Sequence, residues 1–579
     1  MYRTMRCSAL RPEHIGQTVS LAGWVDAIRD HGGVLFLDLR DETGITQVVF
    51  HEDLTLEGIN REAVITITGE VVARDADTVN PKLETGLVEV RVTSYELLGP
   101  CRQMLPFTPS DSMDTREEVR LKYRYLDLRN PDLHSKIILR SKVISALRRH
   151  MEELGFLDMQ TPILTASSPE GARDFLVPSR KHKGTFYALP QAPQQFKQLL
   201  MVSGFDRYYQ VAPCFRDEDA RQDRSPGEFY QLDYEMAFAT QDDVLEVCEQ
   251  VISKTFAEFA PDKVCSAAPF ERITYADAML RYGSDKPDLR NPLQIIDLTD
   301  FFAQVEFKAF KGRPVRGIVA DCSACSKKFF EDSLKFALSI GMKGLGYLTL
   351  KEGQFKGPID KFLTDEQRQE ITALSGIKEG ETLFFISDAK RIVDSMAGQI
   401  RTWLGETLDL LEKDAFRFCF VVDFPMYEIN AETGKLDFTH NPFSMPQGGL
   451  DALMNEDPLK ILAYQYDLVC NGIELASGAV RNHNPEIMKK AFALAGYSEE
   501  ELAARFSALY TAFQYGAPPH AGMAPGIDRM VMLLAETETI RNVIAFPLNG
   551  NAQDLLLGAP APVTELQLRE ANIQVREDF

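Results

Sequence analysis

The 579-residue sequence is short of positive charge: 63 Lys and Arg stand against 85 Asp and Glu, a formal balance of −22. Domains that hold nucleic acid by charge alone are basic, so the deficit excludes sequence-blind binding of DNA, RNA or an anionic membrane surface. Long apolar runs are missing as well. No stretch approaches the ~18 apolar residues of a membrane span. The N-terminal segment carries Arg3, Arg6 and Arg11 but no apolar core of a secretory signal. Nine cysteines are scattered without framework spacing, which argues against a disulfide-built fold and for a reducing, cytoplasmic setting. Cys322 and Cys325 form one CxxC with no second pair at zinc-finger distance, so two ordinary thiols are expected. Internal repeats and low-complexity tracts are absent too. What remains is 45% apolar and 26% charged, an ordinary globular composition. At roughly 150 residues per domain it suggests about four modules.

Residues 1–105 read as β. Val19–Val25, Val34–Arg40, Thr46–Phe50, Val64–Val72 and Leu87–Leu98 are rich in Val, Ile, Thr and aromatics, with turn signals between them. Five short strands of this kind suggest a small closed barrel, with the OB-fold as the leading candidate. A Pro-containing stretch then predicts a hinge over 106–135. Ile137, Leu139, Val143, Leu147, Met151 and Leu154 recur near a 3.6 period and predict a helix ended by Gly155. A strand ending in Thr161-Pro162 follows. Tyr208–Arg216 and Glu228–Phe238 read as a hairpin, and Gln241–Phe259 as a helix. Residues 289–411 look like an α/β insertion, with helices around Phe329–Ile340 and Asp388–Trp403. Strand character resumes at Phe416–Phe424, and a last helix is expected from Pro525 to about Glu536. The fold class is α+β.

Three segments carry chemistry. In the hairpin, strand periodicity places Phe229, Gln231, Asp233 and Glu235 on one face. That mixture suits a polar site better than a dry core. Arg216, where strand meets loop, can reach an anion. The competing reading is a solvated hairpin with local ion pairs worth about 0–1 kcal/mol each. Asp467 and Glu474 are oxygen ligands of the kind that hold Mg²⁺ against phosphates. Arg481 offers a planar fork for a carboxylate or phosphate. Alone, that segment more often reads as a surface helix and turn. In Gly516–Arg529, small residues permit close backbone approach. Pro525 suits a helix's first turn, from which Arg529 projects.

Phe215-Arg216-Asp217-Glu218-Asp219 followed by Gln231-Leu232-Asp233 resembles motif 2 of class II aminoacyl-tRNA synthetases. Gly526-Ile527-Asp528-Arg529 resembles motif 3, and Ser141–Pro162 the dimerisation element, motif 1. Gln191–Gln198 is similar to the amino-acid-binding segment of aspartyl-tRNA synthetases. The order of an OB domain, a catalytic domain and an insertion before Asp423 matches the bacterial type of that family, over essentially the whole chain. The resemblance implies an OB-fold anticodon-binding domain (1–105), a hinge (106–135) and a catalytic domain built on an antiparallel sheet (136–288 and 412–558). It also implies an inserted domain (289–411) and a C-terminal extension (559–579). The implied reaction joins L-aspartate and ATP into aspartyl-adenylate, then transfers aspartate to tRNA-Asp, in a cytoplasmic homodimer without membrane association. The attacking carboxylate is already ionised at neutral pH, which agrees with the absence of a Ser-His-Asp or Cys-His arrangement.

By the same resemblance Arg216 binds the α-phosphate and Arg529 the γ-phosphate. Phe229 stacks on adenine, Glu218 touches its amino edge, and Gly526, Ile527 and Asp528 complete the ATP site. Asp467 and Glu474 hold Mg²⁺. Lys197 and Arg481 pair with the aspartate side chain, Asp233 with its ammonium, and Gln194 and Gln231 add hydrogen bonds. Glu170 lies in a loop over the substrate, and His440 matches a substrate-side histidine. Three positions depart from the common pattern: Ala192 replaces a serine, Gly227 lengthens the motif 2 loop, and Ala521 replaces a motif 3 glycine. In the barrel, Phe36 stacks on an anticodon base, Gln47 hydrogen-bonds one, and Arg29 and His31 flank them; Phe36 as core is the alternative. His31-Gly32 resembles the version found in enzymes that also charge tRNA-Asn. The rivals are asparaginyl- or lysyl-tRNA synthetase, and an inactive paralogue serving as an RNA-binding module. The last should have lost a phosphate-binding arginine, and both are present.

Overall fold

The computed structural model describes all residues except 52, 53, 55, 168–171, 432 and 577–579. Two compact units are present, Met1–Thr108 and Pro109–Phe579. The first is a closed barrel of β1 (Thr18–His31), β2 (Val34–Arg40), β3 (Ile45–Phe50), β4 (Val64–Ala73) and β5 (Val88–Gly99), in the order β1-β2-β3-β5-β4. Alternation explains it: Leu21, Val25, Leu37, Leu39, Val48, Ile65, Ile67 and Val90 point inward and are fully or almost fully buried. β1 is longer than expected, because a bulge between Val25 and Ala27 lets it continue to His31 against β2.

The second unit is organised by an eight-stranded sheet of β6 (Leu157–Asp158), β7 (Arg207–Arg216), β8 (Gly227–Ala237), β9 (Glu271–Thr274), β10 (Phe418–Pro425), β11 (Leu462–Cys470), β12 (Ile473–Val480) and β13 (His520–Pro525). Their order is β9-β10-β11-β12-β13-β8-β7-β6. The central pairs are antiparallel; only the two outermost, β9–β10 and β6–β7, are parallel. One face packs on helices α1 (Pro131–Glu153), α2 (Gln241–Phe259) and α3 (Ile527–Leu534), through Leu232, Tyr234, Leu468, Leu475 and Met523 from the strands. Asn130 caps α1 by accepting from the amides of Asp132 and Leu133, and Pro131 suits its first position. The other face of the sheet is left to carry polar groups.

Between β9 and β10 the chain builds a separate five-stranded sheet from residues 295–387, closed by helix α4 (Val393–Thr407). The stretch 106–135, expected as a hinge, is instead packed from Pro109 onward. Arg124 is buried, pairs with Asp127 at 2.6 Å and donates to the carbonyls of Arg541, Ile544 and Ala545. Its partners lie more than 400 residues away, so local turn signals alone are visible in the sequence. Two further expectations need correction. Residues 462–480 form a β-hairpin rather than a surface helix and turn, with Asp467 opposite Ser477. Pro525 ends β13 and does not open a helix; Gly526 is the extended cap before α3. All nine cysteines are free. Among the described residues no helix is long and apolar enough to cross a membrane.

Candidate active site

The polar face of the sheet holds two cavities that meet. The first, about 300 Å³, is lined by Gln194, Lys197, Gln231, Asp233, His440 and Arg481, among others. The second, about 320 Å³, is lined by Glu218, Phe229, Glu474, Gly526, Asp528 and Arg529. Arg216, Gln231, Ser477 and Ala524 border both. The β8 alternation accounts for the arrangement: Phe229, Gln231, Asp233 and Glu235 face the site, while Leu232, Tyr234 and Met236 enter the core.

At the floor of the first cavity lies a buried four-charge network. Lys197 Nζ donates to Asp233 Oδ2 at 2.7 Å and stands 3.4 Å from Glu235 Oε2. Arg481 grips Glu235 with two bonds, Nε to Oε1 at 2.7 Å and Nη2 to Oε2 at 3.0 Å. All four side chains are at most 2% exposed. Desolvating charges is costly unless they are paired, and the two opposite pairs make the set neutral. Burial pushes the Glu235 carboxyl up, but Arg481 and Lys197 outweigh it, leaving it below the usual carboxylate range. For Asp233, burial outweighs the Lys197 ion pair and the nearby Glu235 charge adds to it, so its carboxyl lies above that range. Among the described residues Arg481 Nη1 has no hydrogen-bond partner, and it borders the cavity where a ligand can reach it. Gln194 Nε2 is buried with no partner among the described residues.

Glu235 was not assigned a role from the sequence. Its place on the Gln231–Asp233 face was the available signal; its partner, 246 residues on, was not. Gly522 leaves room for the same carboxylate and for the neighbouring strand, since a Cβ there would stand 2.1 Å from Glu235 Oε2 and 2.2 Å from the Tyr234 carbonyl oxygen. The neighbouring Ala521 points the other way, into the core, and leaves the site untouched. Ala192 lines the first cavity, and Gly227, at φ +89°, opens β8 opposite Arg216.

In the second cavity Arg216 lies over the Phe229 ring at 5.0 Å and donates to the Gln191 carbonyl. Glu218 is held by Arg224 at 2.8 Å. Arg529, in the first turn of α3, donates to the carbonyls of Glu474 (2.6 Å) and Asp223 (3.2 Å) and ion-pairs with Asp223. Ile527 points into the core, so only its backbone can serve a ligand. Asp528 pairs with Arg140 of α1 and accepts from the Tyr230 amide, which fixes α3 against β8.

A small polar cavity of about 80 Å³ joins them, lined by Asp467, Glu474, Asp285, Lys286 and His440. Burial and then the Glu474 charge raise the Asp467 carboxyl far above its ordinary range. Asp467 and Glu474 supply oxygen donors of the kind that bind Mg²⁺, and the Lys286 ammonium already stands 3.3 Å from Glu474 Oε2. Among the described residues no three His, Cys, Asp or Glu side chains gather as a resident metal centre. The pair fits an ion that arrives with phosphates. His440 packs edge-on against Phe424, and burial lowers its pKa, keeping the ring neutral. Glu170 lies outside the described residues.

On the barrel, Phe36 is half-buried on the outer face, opposite Leu37, with His31 edge-on to it at 5.5 Å. Beside it Arg29 makes two 2.7 Å bonds to Asp38 and one to Gln47, which donates to Glu89. Phe36 as core is excluded, and the patch combines an aromatic, an amide and a cation.

Comparison with known proteins agrees with this geometry. Residues 116–550 match the family described as tRNA synthetases class II (D, K and N), and residues 19–98 the OB-fold nucleic acid binding domain. The "Aspartate--tRNA(Asp/Asn) ligase" of Zymomonas mobilis is 55% identical over 99% of this chain and 98% of that protein. The protein of the same name from Rickettsia bellii is also 55% identical, with the same shares covered. Among solved structures, asparaginyl-tRNA synthetase from Pyrococcus horikoshii complexed with asparaginyl-adenylate shares the fold. Its TM-score is 0.58 at 19% identity, covering 94% of this chain and 98% of that one. Aspartyl tRNA synthetase from Entamoeba histolytica matches at TM-score 0.54 and 19% identity, covering 93% and 89%. The chain belongs to the class II tRNA synthetases of the D, K and N group.

Proposed function

We propose that the chain uses ATP to activate L-aspartate as aspartyl-adenylate and transfers it to tRNA-Asp and tRNA-Asn. One observation carries the choice of amino acid: two buried cations, Lys197 and Arg481, border one cavity and are each held by a buried carboxylate. A side-chain carboxylate satisfies them. Once Asp233 turns to the substrate ammonium, the two cations share Glu235 alone, so a neutral amide or a lysine side chain leaves buried positive charge unpaired, which is how such a site rejects the near analogue. The full-length relatives named for both tRNAs support the double tRNA specificity.

Asp233 receives the α-ammonium, with Gln194 and Gln231 beside it. This directs the ionised α-carboxylate toward Arg216, at the junction of the two cavities. No general base is required. Arg216 holds the α-phosphate and Arg529 the γ-phosphate, while Phe229 and Glu218 take the adenine. Catalysis is positioning plus charge stabilisation at phosphorus. Asp467 and Glu474 would hold Mg²⁺, which would supply neutralising charge on the phosphates. Residues 136–288 and 412–558 form the catalytic domain, interrupted by 289–411 and followed by the extension 559–579. Residues 1–105 read the anticodon through Arg29, His31, Phe36 and Gln47, as OB-folds read unstacked bases. The enzyme acts in the cytoplasm as a homodimer; the exposed edge strand β6, with Leu157 52% exposed, supports that state.

The test is exchange of labelled pyrophosphate into ATP with each amino acid in turn. Exchange is expected with aspartate alone, and lost in Arg216→Ala. Dependence on asparagine or lysine would overturn the substrate, and full activity of Arg216→Ala the mechanism.

A further inference from the structure

We propose that Lys286 is a further catalytic residue, gripping the departing pyrophosphate, and that Arg401 of the inserted domain is the positioning residue that holds its loop. The proposal rests on the adenylation reading above. Lys286 lies in the segment joining helix Tyr275–Tyr282 to the insertion. Its Nζ stands 3.3 Å from Glu474 Oε2 and 2.8 Å from Asp285. Arg529 Nη1 stands 3.8 Å from the other Glu474 oxygen. Two cations therefore address the two oxygens of one carboxylate, at the wall between the 320 Å³ cavity and the small polar one.

When the α-carboxylate oxygen bonds to Pα, the bond from Pα to the bridging oxygen breaks and its electron pair leaves with pyrophosphate. With the γ-phosphate on Arg529, as proposed above, the charge that grows there falls on the Glu474 side of the site, where Arg529 and Lys286 converge. An ammonium on a flexible stem, with three donors, can turn from Glu474 to a phosphate oxygen. The side chain is 35% exposed and also borders a separate cavity of about 540 Å³, so it has room to move.

The loop itself is tied to α4. Arg401, on α4, is 2% exposed and donates to the carbonyls of Leu293 (2.6 Å), Asn291 (2.7 Å) and Asp288 (2.9 Å), with its guanidinium over the Tyr282 ring. Gly283, at φ +69°, lies so close to α4 that a Cβ would stand 2.3 Å from the Asp394 carbonyl oxygen. All of Arg401's hydrogen bonds go to backbone of the segment just after Lys286. The insertion thus braces the catalytic site by one helix.

The test compares wild type, Lys286→Met, Lys286→Arg, Arg401→Lys and the double variant Lys286→Met/Arg401→Lys. Pyrophosphate exchange gives separate KM values for aspartate and pyrophosphate, and calorimetry gives the affinity for magnesium pyrophosphate alone. Lys286→Met is expected to raise the pyrophosphate KM and weaken magnesium pyrophosphate about tenfold, the loss of one charge-assisted hydrogen bond. The aspartate KM stays within about twofold, and Lys286→Arg recovers most of the loss. Arg401→Lys moves the same two quantities less, and the double variant is no worse than Lys286→Met, because the two residues act as one unit. Unchanged pyrophosphate KM and affinity in Lys286→Met would overturn the catalytic role, as would an equal rise in the aspartate KM. Additive losses in the double variant would overturn the Arg401 link. A wild type without aspartate-dependent exchange would instead refute the adenylation reading, and calorimetry would still decide whether Lys286 binds pyrophosphate.

Discussion

Replacing Arg481 by lysine keeps the charge and removes the fork. In the structure Nε and Nη2 are both spent on Glu235, at 2.7 and 3.0 Å, and Nη1 is left for the ligand. A lysine ammonium on a shorter reach can satisfy Glu235 or the substrate carboxylate, not both with the same geometry. Glu235 is already in place and fully buried, so the ammonium stays with it. The substrate loses one charge-assisted hydrogen bond, worth about 1.5–3 kcal/mol. At 1.36 kcal/mol per tenfold, this is a fall of about 10- to 150-fold in kcat/KM for aspartate. Because the charge balance of the network is conserved, stability should change little, and the ATP KM should not move. The assay is pyrophosphate exchange with aspartate and asparagine varied separately. Aspartate should lose far more than asparagine, narrowing the discrimination between them. A fall below about threefold, or an equal fall for both amino acids, would refute the assignment of Nη1 to the substrate carboxylate.

Glu235→Gln strands Arg481 and Lys197 with one carboxylate between them. It should cost about 3–5 kcal/mol of stability, as breaking a buried pair does, and raise the aspartate KM; an unchanged thermal midpoint would contradict this. Phe36→Ala should raise the KM for tRNA by the loss of one stacked base, about 1–3 kcal/mol, while exchange without tRNA is unaffected. An unchanged tRNA KM would remove Phe36 from the interface. His520 is fully buried, its Nδ1 facing the Pro518 carbonyl at 2.8 Å, and burial lowers its pKa to about 4 despite Glu235 nearby. Its folded pKa lies below the ordinary 6.5, so the unfolded chain binds the proton first. The contribution is intact above pH 6.5 and is lost as pH falls toward 4, about 2 kcal/mol of it by pH 5. His520→Gln should therefore show a shallower fall in thermal midpoint from pH 7 to pH 5, and an equally steep fall would refute it.

Much of the site was legible because it lies on one strand. Alternation in β8 alone puts Phe229, Gln231, Asp233 and Glu235 on one face, and Arg216 at its hairpin partner's end. The barrel was legible for the same reason, as short alternating runs with turn residues between them. What was not legible depends on distant partners. Glu235 was placed on the right face, but nothing local says that it holds Arg481. Residues 462–480 mix polar and apolar positions in a way that does not separate strand from helix. Only the pairing of Asp467 with Ser477 across the hairpin settles them as strands. Lys286 sits in a loop without periodicity, and its neighbour Glu474 is far along the chain beyond the insertion. The acidity of the chain also acquires a meaning. The barrel region 1–105 is itself acidic, with 10 Lys and Arg against 16 Asp and Glu, and its candidate RNA-facing patch is built from stacking and hydrogen-bonding groups. Specificity is then left to shape and base contacts, with little long-range attraction to add indiscriminate RNA.

The most direct test of the account is charging of purified tRNA-Asp and tRNA-Asn transcripts with labelled aspartate by the full-length protein. Both tRNAs are expected to accept aspartate, with ATP required and no labelling when asparagine replaces it. Labelling of tRNA-Asp alone would contradict the double specificity, and labelling of neither would contradict the central claim.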